Sequence, residues 1–300
     1  MRPEEIKDLA KKHGIEIKLE TLQINDSGLD FIVGLGTDTM GMAWILRVPR
    51  RKDAVKAAEV EKRLLEAVKS EVLAEVPVWI IFHEELIAYP QLTGKPAGTI
   101  DPKTQSYQWE IDVENVPESF HRTLARAMVS LHQINDSARW KEAGITVEQV
   151  VELSSSMRRR MEKVKQEYEI HPERWDRWQQ WLNTEEMWPP FTGLVHGDLH
   201  AGHIMVDKDA NVTGFIDWTE AKITDTSIDF TAHYMTFGES GLDKLLTCYE
   251  EFGGKTWTRM KDHILMRADA FSIDVAEFAA RSSLKEYKEM AEKELKSPPA

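Results

Sequence analysis

The side chains best suited to chemistry are concentrated between Val195 and Trp218. The first part of this segment reads His-Gly-Asp-Leu-His-Ala-Gly-His and contains Asp198 and His203, and its end reads Ile-Asp-Trp and contains Asp217. Phosphoryl transfer to a hydroxyl needs one carboxylate that accepts the hydroxyl proton and further ligands that hold divalent cations against the phosphates. The segment therefore predicts phosphoryl transfer in which Asp198 accepts the proton.

The pattern around these residues predicts a β-hairpin that brings them together. Residues 204–206 and 212–216 are apolar strand candidates, and a polar turn separates them. The loop before the first strand of a hairpin and the residues after its second strand lie at the same end, so Asp198, His203 and Asp217 are expected to converge. Because Mg²⁺ prefers oxygen ligands, Asp217 is expected to bind the metal.

The rest of the chain divides into a strand-rich first part and a helical second part. Hydrophobic periodicity predicts five strands with a single amphipathic helix after the third, which is typical of a small antiparallel lobe. The predicted strands are residues 15–24, 31–35, 42–48, 76–82 and 86–89, and the predicted helices are residues 3–13, 53–74, 120–134, 146–168, 172–187 and several after 227. Residues 91–105 are predicted to be a connector. The fold class is therefore α+β.

Composition and charge narrow the class of protein. With 42% hydrophobic residues among 300, the chain can bury a sizeable core, and its formal net charge of −13 argues against nucleic acid or an anionic membrane as the main partner. No apolar run reaches the ~18 residues of a membrane span. The one cysteine, Cys248, can form no internal disulfide. We expect a soluble, cytoplasmic protein that works as a monomer.

Together, these motifs resemble the catalytic loop and metal-binding segment of the aminoglycoside phosphotransferase-like kinases, which are relatives of the protein kinases. That family usually has Asn where this chain has His203. This histidine, with Gly28-Leu29-Asp30-Phe31 and the stretch from Leu46 to Arg51, is more similar to the macrolide 2′-phosphotransferase branch. The resemblance covers about residues 15 to 250. It implies a bilobal, protein-kinase-like fold with a nucleotide-binding lobe at 1–92, a catalytic and substrate-binding lobe at 93–300, and a helical insertion at about 146–187.

The resemblance also implies roles for single residues. The expected phosphoryl donor is GTP or ATP with Mg²⁺, and the expected metal ligands are His203 and Asp217, with a structural histidine as the alternative for His203. His196 and Asp229 support the catalytic loop from behind. Arg47 takes the place of the usual strand lysine, and its expected partner on the following helix is Glu61, with Glu59 as the less favoured alternative. The expected nucleotide contacts are Asn25, Ser27, Gly28, Arg47, Glu61, Tyr89, Gln91 and Leu92.

The helices after residue 227 carry the residues that bear on the substrate. They combine apolar side chains with few acids, a mixture that suits a large apolar ring bearing one amino sugar better than a compound with several ammonium groups. The expected substrate contacts are Tyr234, Phe237, Phe271, Asp274, Glu277 and Phe278. The preferred hypothesis is a kinase that phosphorylates the 2′-hydroxyl of a macrolide amino sugar. The alternative is an aminoglycoside or other small-molecule hydroxyl kinase of the same fold.

Two further segments are expected to have no functional role. The run Arg158-Arg159-Arg160 is typical of a solvated helix face. The polar tail from Tyr287 onwards is expected to fray.

Functions of other classes also stay open, namely a nucleotide-binding module without catalysis and a structural protein that only retains the fold. Binding of Mg²⁺-nucleotide without turnover would indicate the first, and absence of nucleotide binding would indicate the second.

Overall fold

The computed structural model describes residues 1–26, 28–101 and 106–299, so the predicted nucleotide contact Ser27 lies outside the described residues. The first part of the chain forms a five-stranded antiparallel sheet in the order β1-β2-β3-β5-β4. Its elements are α1 (Pro3–Lys12), β1 (Gln23–Asn25), β2 (Phe31–Thr37), β3 (Ala43–Pro49), α2 (Lys52–Val68), β4 (Ile81–Phe82) and β5 (Ile87–Pro90). The predicted five strands with one helix after the third are confirmed.

Two of these strands are shorter than predicted because their first residues bond elsewhere. The segment before β4 begins with Glu75. Its backbone exchanges hydrogen bonds of 2.8 and 2.9 Å with Thr213 and Phe215 of the predicted hairpin at residues 204–216, here named the catalytic hairpin. Pro77 then follows and has no N–H to donate to a sheet. In the segment before β1, the hydroxyl of Thr21 donates to the Lys18 carbonyl at 2.7 Å and favours a 3-10 turn over an extended strand.

The second part of the chain is mainly helical. Its helices are α3 (Glu118–His132), α4 (Ser137–Glu142), α5 (Leu153–Glu167), α6 (Pro172–Asn183), α7 (Ile228–Glu251), α8 (Met260–Asp269), α9 (Phe271–Ser282) and α10 (Lys285–Lys296). Its strands are β6 (Lys95–Pro96), β7 (Gly98–Ile100), β8 (Tyr107–Trp109), β9 (Gly193–Val195), β10 (Ile204–Val206), β11 (Val212–Phe215) and β12 (Lys222–Thr224). The predicted connector thus contains β6 and β7, and β7 pairs with β8 as a small hairpin.

One apolar cluster joins the two parts of the chain. Leu64 and Leu65 of α2 belong to the same buried cluster as Phe120 of α3 and Phe215 of β11. Helix α2 therefore has its position set by the part of the molecule that carries the catalytic hairpin. Each Å² of apolar surface that this cluster buries stabilises the folded state by about 25 cal/mol, so the contact opposes separation of the two parts.

A second apolar cluster holds the C-terminal segment in place, contrary to the expectation that it frays. Ala291 and Leu295 of α10 are fully buried in this cluster. Arg174 of α6 donates hydrogen bonds of 3.1 and 3.0 Å to the carbonyls of Ser297 and Pro298. The tail looks polar in sequence because only one face of α10 is apolar, and that face is covered. In the described part of the chain, no helix combines the length and apolarity that crossing a bilayer requires.

Candidate active site

The hairpin of β10 and β11 brings the predicted proton acceptor and the two predicted metal ligands together. Ile204 pairs with Phe215, and the Ile216 N–H donates to the carbonyl of His203 at 3.0 Å. Asp198, which precedes β10, and Asp217, which follows β11, consequently lie at the same end of the hairpin. His203 stands between them, with Nδ1 3.5 Å from Asp198 Oδ2 and Nε2 3.8 Å from Asp217 Oδ2.

The hydrogen bonding of His203 determines which nitrogen can bind a metal. Its Nδ1 lies 2.9 Å from the backbone carbonyl oxygen of Asp198, and a carbonyl oxygen can only accept. In the neutral imidazole, Nδ1 therefore carries the hydrogen, and the lone pair of Nε2 is directed towards Asp217. This is the arrangement by which proteins orient an imidazole for a metal, since the second nitrogen is fixed by a backbone acceptor.

Asp217 is held in an unusual backbone conformation. Its φ of 62° lies in the left-handed region, where residues other than glycine are uncommon and where functional sites often store strain. The Thr219 hydroxyl donates to its Oδ1 at 2.7 Å. Burial acts to raise the pKa of Asp217, but the charges of His203 and Arg47 together with the Thr219 hydrogen bond outweigh burial and lower it. Asp217 is thus held as an ionised carboxylate, the form that could bind a cation.

His196 connects the catalytic loop to the segment that carries Asp217. Its ring is fully buried, Nε2 lies 3.0 Å from the carbonyl oxygen of Ile216, and Nδ1 lies 3.4 Å from the backbone nitrogen of Asp198. Because the carbonyl accepts and the backbone N–H donates, the ring is neutral with its hydrogen on Nε2. Burial lowers the pKa of His196 to about 4, which agrees with that neutral form. His196 therefore positions both acids without touching a reacting atom.

Asp229 also supports the loop that presents Asp198. Its carboxylate accepts hydrogen bonds from the backbone N–H of His196 at 2.9 Å and of Gly197 at 2.8 Å, and it lies 3.0 Å from His132 Nε2. Gly197 has a φ of 86°, and a Cβ there would come within 2.4 Å of the Glu220 carbonyl oxygen. The loop conformation that presents Asp198 thus depends on a glycine and on a buried carboxylate.

Asp198 itself faces the solvent, with 52% of its side chain exposed. His200 Nε2 lies 4.0 Å from its carboxylate, and the ring of His200 packs 4.0 Å from that of His203. Burial raises the pKa of Tyr107, and the negative charge of Asp198 raises it further. Tyr107 stacks on Trp109 with ring centroids 4.7 Å apart. These two aromatic residues of β8 were missed, and their alternation in a short segment was the only signal in the sequence.

The structure pairs Arg47 of β3 with Glu61 of α2 and leaves Glu59 exposed. Arg47 Nη1 lies 3.0 Å from both carboxylate oxygens of Glu61, and its guanidinium stacks over Phe31 at 4.3 Å. Burial alone would lower the pKa of Arg47, but the charge of Glu61 outweighs it and the pKa lies above its ordinary value. The cation is therefore permanently charged and rigidly placed, and the charge of Asp217 also helps to raise its pKa.

The predicted phosphate loop between β1 and β2 is held by an arginine that the sequence patterns did not single out. Arg50 donates to the carbonyl of Gly28 at 2.8 Å and to that of Asp26 at 2.6 Å. At Gly28, a Cβ would lie 2.8 Å from the carbonyl oxygen of Phe31, so the loop closes only with glycine there. Asn25 is the last residue of β1, at the start of this loop.

The predicted hinge follows β5 closely. Tyr89 pairs with Ile45 of β3 and is buried beside Arg47, and Leu92 is also buried. The backbone N–H of Gln91 donates to the carbonyl of Ala43 at 2.9 Å and is already used. A purine would therefore have to form its hydrogen bonds with other backbone groups of this segment.

The predicted substrate residues fall into two groups. Tyr234 and Phe237 lie on α7, and the Phe237 ring packs 6.2 Å from that of Trp109 in β8. Phe271 is partly exposed at the start of α9. Farther along α9, Phe278 packs against Tyr287 of α10 with ring centroids 4.6 Å apart.

The two acids of α9 are already paired. Arg160 of α5 contacts Asp274 at 2.5 Å and Glu277 at 2.7 Å. The expectation of a solvated arginine run is therefore wrong for Arg160, whose side chain is 27% exposed. Sequence periodicity could not reveal this pairing because the partners are 114 and 117 residues apart.

Comparison with known proteins agrees with this geometry. Residues 21–263 match the model of the phosphotransferase enzyme family. The uncharacterized protein YcbJ of Bacillus subtilis (strain 168) is 37% identical over 287 residues, which cover 96% of this chain and 94% of that protein. The family match spans most of the chain and includes the β10–β11 hairpin.

Solved structures share the fold over nearly the whole length. A macrolide 2′-phosphotransferase type I has a TM-score of 0.89 at 35% identity, covering 98% of this chain and 96% of its own. The apoenzyme of macrolide 2′-phosphotransferase MphH from Brachybacterium faecium has a TM-score of 0.89 at 30% identity, covering 99% and 98%. A GDP complex of aminoglycoside 2′-phosphotransferase-IIIa, at 16% identity, 97% and 96% coverage and a TM-score of 0.74, shows likeness of fold alone. With its kinase-like architecture and converging acids, this chain is an enzyme of the phosphotransferase family, and macrolide 2′-phosphotransferases are among its near structural relatives.

Proposed function

We propose that this enzyme transfers the γ-phosphoryl group of GTP or ATP to the 2′-hydroxyl of a macrolide amino sugar, and so confers antibiotic resistance. The observation that carries the proposal is the convergence of Asp198 and Asp217 around His203. It occurs in a chain that is 35% identical to a macrolide 2′-phosphotransferase across 98% of its length.

The proposed reaction uses the two acids differently. The hydroxyl oxygen of the sugar forms a bond to the γ-phosphorus, the bond from that phosphorus to the bridging oxygen of the nucleotide breaks, and Asp198 takes the hydroxyl proton. The exposed carboxylate of Asp198 suits this role because the acceptor must reach it from the solvent side. Mg²⁺ would neutralise charge that develops on the phosphates, and the donors that fit it are Asp217 and Nε2 of His203.

The nucleotide is proposed to lie between the lobe of residues 1–92 and the lobe of residues 93–300. Arg47, fixed by Glu61, would meet the phosphates, and the loop at Gly28 would cover them with backbone N–H groups. The purine would meet backbone groups of the segment from Tyr89 to Leu92. A phosphotransferase of this fold has been solved with GDP, which supports a nucleoside triphosphate as donor.

The charge distribution favours a macrolide over an aminoglycoside. A compound with several ammonium groups needs several free carboxylates, and Asp274 and Glu277 are both engaged by Arg160. Tyr107, whose pKa the charge of Asp198 helps to raise, stacks with Trp109 on β8, and this pair offers an aromatic surface instead. An apolar ring with one amino sugar fits such a surface better.

Mass spectrometry of the products tests the proposal directly. The enzyme is incubated with Mg²⁺ and either GTP or ATP, together with erythromycin or kanamycin, and each antibiotic is examined for the gain of one phosphate. We expect phosphorylated erythromycin with the wild-type enzyme and at most about 1% as much in the same time with Asp198→Asn. Phosphorylated kanamycin alone would establish the aminoglycoside alternative, and tight nucleotide binding without any product would indicate a module that has lost catalysis.

A further inference from the structure

A second group of side chains that could bind a metal lies at the end of α1 and in the turn between β4 and β5. It shares no residue with the catalytic hairpin. It consists of His13, His83 and Glu85, each of which offers one ligand atom within 4.8 Å of the other two. His13 Nε2 is 3.9 Å from Glu85 Oε2, and the two imidazole rings are 4.7 Å apart. We propose that this group binds a transition-metal ion such as Zn²⁺.

The two backbone segments that supply these ligands are rigidly fixed relative to each other. His13 directly follows α1, whose Ile6 and Ala10 are fully buried in the same apolar cluster as Leu86. Leu86 also closes the turn between β4 and β5, because its backbone exchanges hydrogen bonds of 2.9 and 3.2 Å with His83. The cluster that docks α1 therefore also sets the distance between the ligands.

The Nε2 atom of His13 lacks a partner within the described ranges. It is buried and makes no hydrogen bond, although a buried imidazole nitrogen normally has one. His83 and Glu85 are both exposed and can move. The Nδ1 atom of His83 accepts a long hydrogen bond of 3.3 Å from the Glu85 N–H, and loss of this bond would free the ring to reorient. Movements of about 1 Å bring three ligands to the separations found around a tetrahedral ion.

The donor set determines the class of ion. Two imidazoles and one carboxylate suit Zn²⁺, Ni²⁺, Co²⁺ or Cu²⁺, whereas Mg²⁺ and Ca²⁺ favour sites made of oxygen ligands. Lys12 contacts the same Glu85 carboxylate and occupies it with an ammonium group. An incoming ion would displace this exposed lysine and join α1 to the β4–β5 turn.

Metal titration of the untagged, full-length, chelator-treated enzyme tests the site. Zn²⁺ at about 100-fold above its Kd is expected to raise the Tm by roughly 3–5 °C, because the ion binds only the folded form. His13→Asn and His83→Asn should each lower the Zn²⁺ affinity, measured by competition with a chromophoric chelator, by at least about tenfold. Glu84→Gln, which changes a neighbouring exposed acid outside the group, should leave the affinity unchanged.

Two further variants separate this site from its competitors. His203→Asn alters the catalytic hairpin, where Asp198, His200 and His203 form another candidate group, and it should leave one Zn²⁺ site intact. Lys12→Met should tighten Zn²⁺ binding because it frees the Glu85 carboxylate. The metal-free Tm of each variant confirms that it is folded. Wild-type Zn²⁺ affinity in the double variant His13→Asn/His83→Asn, or loss of all Zn²⁺ binding in His203→Asn, would overturn the proposal.

Discussion

The imidazole of His196 donates a hydrogen bond of 3.0 Å from Nε2 to the carbonyl oxygen of Ile216. This bond crosses from the loop that presents Asp198 to the strand end that presents Asp217. Because the ring is fully buried, the distance between the two acids depends on a side chain that does not reach the solvent. The relationship makes His196 a positioning residue, and its role can be tested separately from that of the acids.

Replacing His196 by Ala should lower both stability and turnover. The change leaves the Ile216 carbonyl and the Asp198 N–H without their partner, at about 1–3 kcal/mol for each buried group. His196→Gln, whose amide can still donate to Ile216, should recover part of the turnover. Urea unfolding and kcat measurements on the two variants provide the comparison. Equal kcat in both variants would show that the hydrogen bond does not position the acids.

Replacing Asp198 by Asn should affect chemistry much more than binding. The amide cannot accept the hydroxyl proton, and a lost general base costs about 10²- to 10⁴-fold in rate. Among the described residues, no hydrogen bond or ion pair joins Asp198 to Arg47 or Gly28, so nucleotide affinity should change by no more than about threefold. Turnover by coupled assay and nucleotide binding by calorimetry separate the two effects. A strong loss of nucleotide affinity with little loss of kcat would reverse the assignment.

Much of the catalytic hairpin was predictable because its signals are local. An apolar run before and after a polar turn predicts a hairpin, and hairpin geometry alone brings Asp198 and Asp217 to one end. The five strands of the sheet followed from periodicity in the same way. Their lengths did not, since Glu75 bonds to β11 rather than to the sheet, and no local pattern predicts such a long-range choice.

The unpredicted features all depend on contacts between distant parts of the chain. Arg160 looked like part of a solvated run because its helix is rich in charge, yet α9 brings Asp274 and Glu277 against it. The tail looked free because only one face of α10 is apolar. Tyr107 lies beyond the predicted connector, and its pairing in the β7–β8 hairpin and the influence of Asp198 on its pKa are not visible in local sequence patterns. Sequence patterns predicted that Asp198, His203 and Asp217 converge, but not which residues neutralise or surround the other predicted site residues.

Replacing His203 by Asn should change the preference among divalent cations. An amide oxygen is a better ligand for Mg²⁺, whereas an imidazole favours softer ions such as Mn²⁺ or Co²⁺. The ratio of activity with Mn²⁺ to activity with Mg²⁺ should therefore fall, by about tenfold, in the variant. Steady-state titration of each metal at fixed nucleotide measures this ratio. An unchanged ratio would mean that Nε2 of His203 does not contact the metal.

Breaking the Arg47–Glu61 ion pair should weaken the nucleotide site and the fold together. Glu61→Gln leaves the buried cation of Arg47 without its main partner, which costs about 3 kcal/mol in stability. The KM for nucleotide should rise because Arg47 is no longer held against the phosphates. Glu59→Gln, an exposed acid on the same helix, is the matched control and should behave as wild type. Equal effects of the two substitutions would show that the pair contributes nothing specific.

The buried His233 on α7 makes stability depend on pH. Its Nε2 lies 3.2 Å from the Gly241 carbonyl, the ring of His121 packs against it at 5.3 Å, and burial lowers its pKa to about 3 from an ordinary value of 6.5. Between these values the unfolded chain binds the proton and the folded chain does not, so stability rises with pH through this window and is lost as pH falls. From pH 6.5 to pH 5 the loss attributable to His233 is about 2 kcal/mol.

His233→Gln isolates this contribution, since glutamine can donate a hydrogen bond to the Gly241 carbonyl but cannot take up a proton. The free energies of unfolding of the wild type and the variant, measured in urea at several pH values, should therefore converge or cross between pH 7 and pH 5. The relevant quantity is the difference between the two proteins, because other buried histidines such as His263 change both curves equally. Parallel curves over that range would mean that His233 accepts a proton in the folded enzyme as readily as in the unfolded chain.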